Sequence, residues 1–136
     1  AGQATVGLEI LKQIPDVATI VVPAGGGGLI AGIAAAVHHL APQVRVIGVQ
    51  AAGAAAWPGS LAAGAPVRAE SMSTMADGIA VALPGVIPFA HVQAFVDSVQ
   101  TVSEEALSRA LLLCPNSPCT ARCARSCRAA ISTRWC

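Results

Sequence analysis

The sequence predicts an α/β fold built on a parallel sheet, and three observations carry that prediction. Two short apolar segments rich in β-branched residues, 18–22 and 44–49, lack polar alternation, the pattern of parallel strands enclosed on both faces. A glycine run and a helical segment lie between them, so strand, loop, helix and strand follow one another within residues 18–49. That order is a βαβ unit, whose crossover is expected to be right-handed. Helical periodicity before and after the unit supplies the remaining layers.

Taken in order, Val6, Ile10, Leu11 and Ile14 recur at helical spacing over 5–14 until Pro15-Asp16 ends the run. Gly7 inside it weakens the helix by about 1 kcal/mol relative to alanine. The segment 18–22 is the first strand, 23–28 its glycine-rich exit, 29–40 a helix that stops before Pro42, and 44–49 the second strand. Residues 51–65 are nearly all Ala and Gly around Pro58-Gly59 and predict a short helix or two over 51–63. Over 71–83 the pattern predicts the start of a helix and then a turn, broken by Pro84-Gly85 and Pro88. A third strand is expected over 95–99. Ser103 then caps a helix over 104–113, with Glu104 and Glu105 at the positive end of its dipole.

Composition divides the chain in two. It has 136 residues, 54% hydrophobic and only 11% charged, which suits one domain whose elements are mostly buried or covered by a partner. Residues 1–114 carry four basic and seven acidic side chains, a net of −3, whereas 115–136 carry four arginines and no acid, a net of +4. Helical and strand periodicity stop at the same join. The prediction is therefore one α/β piece over 1–113 and an aberrant or unstructured Cys/Arg-rich tail over 114–136, more like a shifted reading frame than an evolved module. The longest apolar stretch, 18–37, is interrupted by Pro23 and four glycines, so no segment reaches the roughly 18 residues of a spanning helix. The opening Ala1-Gly2-Gln3 has neither the basic region nor the apolar run of a signal peptide, and a cytoplasmic piece of a longer protein is expected.

The run Gly25, Gly26, Gly27 and Gly28, directly after a strand and before a helix, is the strongest chemical signal. Lacking Cβ atoms, these residues let the backbone turn sharply and gather N–H groups beside a helix N-terminus, where a phosphate is the natural guest. The structural alternative is a tight turn demanded by close helix packing. No Gly-Lys-Ser/Thr follows, so it is not a P-loop. The spacing, with Gln50 rather than an acid after the second strand, argues against a dinucleotide fingerprint. His38-His39 reads as a pair of surface or capping residues at a helix end, His91 as a solvated residue after a proline-rich loop, and Asp77 as a turn cap. In the tail, Cys119, Cys123 and Cys127 lack a clean fourth ligand for zinc. Four arginines with Trp135 are weak grounds for a nucleic-acid patch.

Several words of the sequence are familiar together. Thr5-Val-Gly-Leu-Glu-Ile-Leu-Lys-Gln-Ile-Pro15, Val21-Val-Pro-Ala-Gly-Gly-Gly-Gly-Leu-Ile-Ala-Gly32, Val44-Arg-Val-Ile-Gly-Val49, Met75-Ala-Asp-Gly-Ile-Ala-Val81 and Thr101-Val-Ser-Glu-Glu105 resemble the pyridoxal-phosphate enzymes of fold type II that dehydrate threonine and serine. Threonine ammonia-lyases resemble it most, with serine racemases and serine dehydratases beside them. The resemblance runs from residue 1 to about 113 and implies a three-layer parallel-sheet fragment of the larger, cofactor-binding domain. It implies pyridoxal 5'-phosphate as cofactor, held through Gly25, Gly26, Gly27, Gly28 and Leu29, with Gly78 offering backbone beside the cofactor face. It further implies an amino-acid substrate, dehydration and deamination to a 2-oxo acid and ammonia, a role such as isoleucine biosynthesis, and a homo-oligomer when complete. Neither nucleic acid nor membrane is an expected partner.

Three departures accompany the resemblance. The family's Schiff-base lysine lies in a Ser/Asn-x-Lys-x-Arg-Gly-Ala-type stretch upstream of the glycines, and the sole lysine here, Lys12, belongs to another helix. No residue of this chain is therefore assigned as catalytic. The segment facing the pyridine nitrogen, expected after Leu113, is replaced by the Cys/Arg tail. Gln50 stands where many relatives have a cation-holding glutamate, and Ala56 also lacks a carboxylate, so no metal site is expected. The chain alone is expected to be inactive. The alternative readings are a noncatalytic phosphate- or cofactor-binding domain and a piece of a serine racemase or dehydratase.

Overall fold

In the computed structural model, residues 2–113 are described. The cysteine and arginine readings on 114–136 lie outside them. Three parallel strands, β1 (Thr19–Pro23), β2 (Arg45–Ala51) and β3 (Ser98–Val102), stand in the order β1-β2-β3. Val22 pairs with Gly48 and Gly48 with Val99. The parallel α/β class is as expected.

The helices are α1 (Ala4–Gln13), α2 (Gly28–Leu40), α3 (Trp57–Ala63), α4 (Val86–Phe95) and α5 (Glu104–Leu113). Both crossovers step the same way across the sheet, and crossovers of one hand then lay their helices on one face. Accordingly α2 packs against both α1 and α4. Ile20, Val22, Ile30, Ile33, Val46 and Val92 fill this layer with at most 1% exposure. Along β1 burial alternates, with Val21 38% exposed on the opposite face, so the described residues enclose the strand on one face where its apolar run suggested two.

Close approach explains two helix glycines. A Cβ on Gly7 would come within 3.2 Å of the Ala36 Cβ, and one on Gly32 within 2.8 Å of the Gln3 carbonyl carbon. The propensity cost of Gly7 is thus offset by contact between α1 and α2. These contacts also fix direction: the start of α1 meets Gly32 and its middle meets Ile33 and Ala36, so the two helices run the same way.

Other elements shifted. Pro84-Gly85 and Pro88, expected to form a proline-rich loop before His91, lead into α4 instead, because Pro88 occupies its first turn, where no backbone N–H is required. His91 therefore sits on that helix, exposed, with Nδ1 2.9 Å from the Ile87 carbonyl. Phe95 ends α4, and the strand placed over 95–99 begins at Ser98 instead. Asp97 bridges the two by accepting the Val46 N–H at 2.7 Å. Over 51–63 there is one turn of 3-10 helix, Ala52–Ala54, and then α3. No helix starts at 71. Its backbone is tied instead to Gly53 and Glu104, by Ser73 N–H to Gly53 O at 2.9 Å and Met75 N–H to Glu104 Oε2 at 2.9 Å. The expected turn follows as the 3-10 segment Asp77–Ile79. None of the described helices is long and apolar enough to cross a membrane.

Candidate functional site

The β1–α2 junction collects the glycine signal. The sheet ladder continues one residue past β1, with Ala24 N–H donating to Val49 O at 2.8 Å, and then the chain lifts away as Gly25–Gly28. Gly27 caps α2 with φ +93°, the left-handed region open to glycine. A Cβ there would overlap the Trp57 ring at Cζ2 and stand 3.0 Å from the Pro88 Cβ. A Cβ on Gly28 would meet nothing within 4 Å, so the loop opens outward at that residue.

The loop's carbonyls and N–H groups are treated oppositely. Gly25 O accepts the Trp57 Nε1–H at 2.6 Å, Gly26 O the Gly85 N–H at 3.0 Å and Gly27 O the Ala31 N–H at 2.9 Å. Among the described residues none accepts from the N–H groups of Gly25 through Ile30. These six consecutive donors, without acceptors among the described residues and at the end of a helix carrying about half a positive charge, are of the kind that a phosphate dianion accepts from. No acidic residue occupies the first turn of α2 to oppose it.

Sequence-predicted residues fall as follows. Gly25 to Gly28 are contiguous in this loop, and Leu29, half-buried, packs on the core from the first turn of α2. The turn containing Gly78 abuts the loop, since a Cβ on Gly25 would lie 3.1 Å from Ile79 O. Gly78 itself is exposed, with open space where its Cβ would stand. His38 and His39 are exposed at the far end of α2, beside Phe95 at ring separations of 4.8 and 5.8 Å. Lys12 is exposed in the last turn of α1. Because α1 and α2 run the same way, it lies toward the end of α2 opposite the glycines, about 18 Å of helix away. Asp77 is exposed.

Gln50 is fully buried at the end of β2, and its Oε1 accepts the Trp57 N–H at 3.0 Å. Its Nε2 has no partner among the described residues. Ala56 is buried one residue before α3. Neither position offers a carboxylate, and no group of three His, Cys, Asp or Glu side chains among the described residues is arranged to hold a metal.

Sequence reasoning missed Trp57, which is fully buried beneath the loop and stacked on Phe89 at 6.1 Å and 13°. A signal existed: it is the lone tryptophan before the tail, in an Ala/Gly-rich stretch just after the second strand. For Glu104, expected only as an acid at the start of a helix, the contact with Met75 was not legible. The Met75 N–H foremost, and then the Thr74 hydroxyl, hold its carboxyl below the usual 4.5. It anchors the strip leading into the Asp77–Ile79 turn.

The chain is similar to known proteins in sequence and in fold. The profile of a family described as pyridoxal-phosphate dependent enzymes matches residues 1–117. Among curated proteins, the L-threonine ammonia-lyase of Geobacter sulfurreducens is 50% identical over 112 residues, and that of Thermotoga maritima 46%. Each alignment covers 82% of this chain and 28% of the relative, so the chain spans under a third of their length. Among solved structures, the processed form of threonine deaminase isoform 2 from Solanum lycopersicum superposes with a TM-score of 0.79 at 41% identity, covering 82% of this chain and 32% of that one. Maize serine racemase gives 0.79 at 38% identity, covering 83% and 35%. With that profile matching most of its length, the chain belongs to the pyridoxal-phosphate dependent enzyme family and is homologous to its threonine dehydratases.

Proposed function

We propose that this chain carries the phosphate-binding segment of a pyridoxal-phosphate dependent dehydratase of threonine or serine, one that yields a 2-oxo acid and ammonia. The observation behind it is the polarity of the Gly25–Gly28 loop, whose carbonyls are tied into the protein while the N–H groups from Gly25 to Ile30 find no acceptor among the described residues. Gly25, Gly26, Gly27, Gly28 and Leu29 hold the cofactor phosphate through these N–H groups, and Gly78 presents backbone beside the cofactor. When bound, pyridoxal 5'-phosphate supplies an electron sink that stabilises negative charge at the substrate Cα.

The chain's own residues bind and orient but do not move the proton. The general base of such a reaction must stand within hydrogen-bond reach of the proton it removes, and the sole lysine, Lys12, lies toward the other end of α2. The 136-residue chain therefore binds the phosphate group without eliminating water from threonine. Residues 1–113 form the cofactor-binding unit in this reading, and 114–136 add nothing to it. The assembled enzyme is a homo-oligomer acting in the cytoplasm, and isoleucine biosynthesis is one role that fits it.

Two measurements test the proposal. Pyridoxine 5'-phosphate and pyridoxine are alcohols that form no imine with Lys12, and the phosphate ester should bind at least about tenfold more tightly, equivalent to about 1.4 kcal/mol. Equal binding would overturn the phosphate reading. With threonine and pyridoxal 5'-phosphate supplied, the purified chain should release no 2-oxobutyrate, and measurable release would show that a base has been overlooked.

A further inference from the structure

We infer that Trp57 is a positioning residue that aims the glycine loop's N–H groups at the phosphate, an inference that rests on the phosphate reading above. Three contacts fix Trp57, two of them through the indole. Its Nε1–H donates to Gly25 O at 2.6 Å, its ring stacks on Phe89 at 6.1 Å, and its backbone N–H is held by Gln50 Oε1 at 3.0 Å. The ring edge also fills the space beside Gly27 that a Cβ would claim.

The geometry of the peptide unit turns this anchorage into a function. The carbonyl of Gly25 and the N–H of Gly26 belong to one planar unit, and in a trans peptide they point in opposite directions. There is no cis peptide among the described residues. Holding the Gly25 carbonyl toward the buried indole therefore turns the Gly26 N–H away from it. The Gly85 N–H does the same one peptide further on, by holding Gly26 O and so directing the Gly27 N–H. Trp57 supplies the first of these two clamps from a side chain and Gly85 the second from the backbone.

Coupling should run both ways through that peptide. An anion accepting from the Gly26 N–H polarises the unit, raises the negative charge on Gly25 O and strengthens the indole hydrogen bond. The indole proton of Trp57 then reports on phosphate although it does not touch it. A tryptophan serving only as core filler would show no such response.

The test uses the full 136-residue chain, 15N-labelled, titrated with inorganic phosphate, with Trp135→Phe assigning the second indole signal. The Trp57 indole N–H should move downfield in step with the Gly26 amide. Trp57→Phe, which keeps an aromatic ring but lacks the donor, should weaken phosphate binding about tenfold and displace the Gly26 amide most among the loop glycines. If the wild-type chain binds phosphate but its Trp57 indole signal stays fixed, or Trp57→Phe binds phosphate equally well, the positioning role is overturned while the phosphate reading stands. If the wild-type chain does not bind phosphate at all, both fall. Should Trp57→Phe fail to fold, the wild-type indole response decides alone.

Discussion

Gly27→Ala and Gly28→Ala are neighbouring substitutions with opposite expected effects, and the contrast follows from the loop geometry. At Gly27 the φ of +93° costs an L-residue about 1–2 kcal/mol. The new methyl would also overlap Trp57 Cζ2 and press on the Pro88 Cβ at 3.0 Å. Trp57 is clamped by its bonds to Gly25 and Gln50, so it yields only by breaking one of them, and overpacking of this kind costs about 1–3 kcal/mol. The expected loss for Gly27→Ala is therefore about 2–5 kcal/mol. At Gly28 the φ is not positive and a Cβ meets nothing within 4 Å. Alanine there should leave stability unchanged or raise it by about 0.5–1 kcal/mol, through lower entropy of the unfolded chain. Urea unfolding followed by far-UV circular dichroism reads both variants. Equal stabilities for the two would refute the reasoning, since it would mean that the left-handed cap and the indole contact do not constrain the loop.

Other expectations follow from single contacts. The folded-state pKa of Glu104 is lowered, chiefly by the Met75 N–H. Its contribution to stability is therefore present above the unfolded value of 4.5 and lost as pH falls through the lower folded value. Glu104→Gln should flatten the acid limb of the stability profile, and an unchanged limb would exclude the anchor. Gly32→Ala should loosen α1 by about 1–3 kcal/mol, because its Cβ would sit 2.8 Å from the Gln3 carbonyl carbon. Limited proteolysis should then cut within residues 4–13 sooner than in the parent chain. Asp97→Ala removes the acceptor 2.7 Å from the Val46 N–H and should cost about 1–2 kcal/mol in thermal unfolding. Lys12→Met should leave inorganic phosphate affinity unchanged, and a tenfold loss would place Lys12 nearer the loop than the parallel run of α1 and α2 allows.

Much of the fold was legible because the informative residues act locally. β1, α2 and β2 follow from an apolar β-branched run, a glycine exit and a 3.6-residue period, each confined to a few neighbours in sequence. The shifted elements depended on distant partners or on position within an element. Pro88 breaks a helix interior but is harmless in the first turn of α4, and nothing local distinguishes the two. The backbone around 71–76 is bound to Gly53 and Glu104, so a local helical tendency there is overridden by tertiary hydrogen bonds. Among the described residues β1 is enclosed on one face because both crossovers lay their helices there, a matter of topology that composition does not encode.

The glycine loop was legible as a possible phosphate cradle, whereas the reason for its polarity was not. Four glycines advertise close approach and left-handed backbone without saying which carbonyls are tied down. That information resides in Trp57 and Gly85, which lie 32 and 59 residues along the chain from the carbonyls they hold. Gln50 illustrates the same limit. Its type reads as a missing acid, and only the fold reveals its bond to the Trp57 N–H, which fixes the start of α3.

Mapping inorganic phosphate onto the backbone amides of the full chain tests the central claim most directly. The account expects saturable shifts concentrated on Gly25, Gly26, Gly27, Gly28 and Leu29, with a weaker response at Gly78 and none at Lys12. Shifts absent from the glycine amides, or centred on the His38–His39 end of α2, would contradict it.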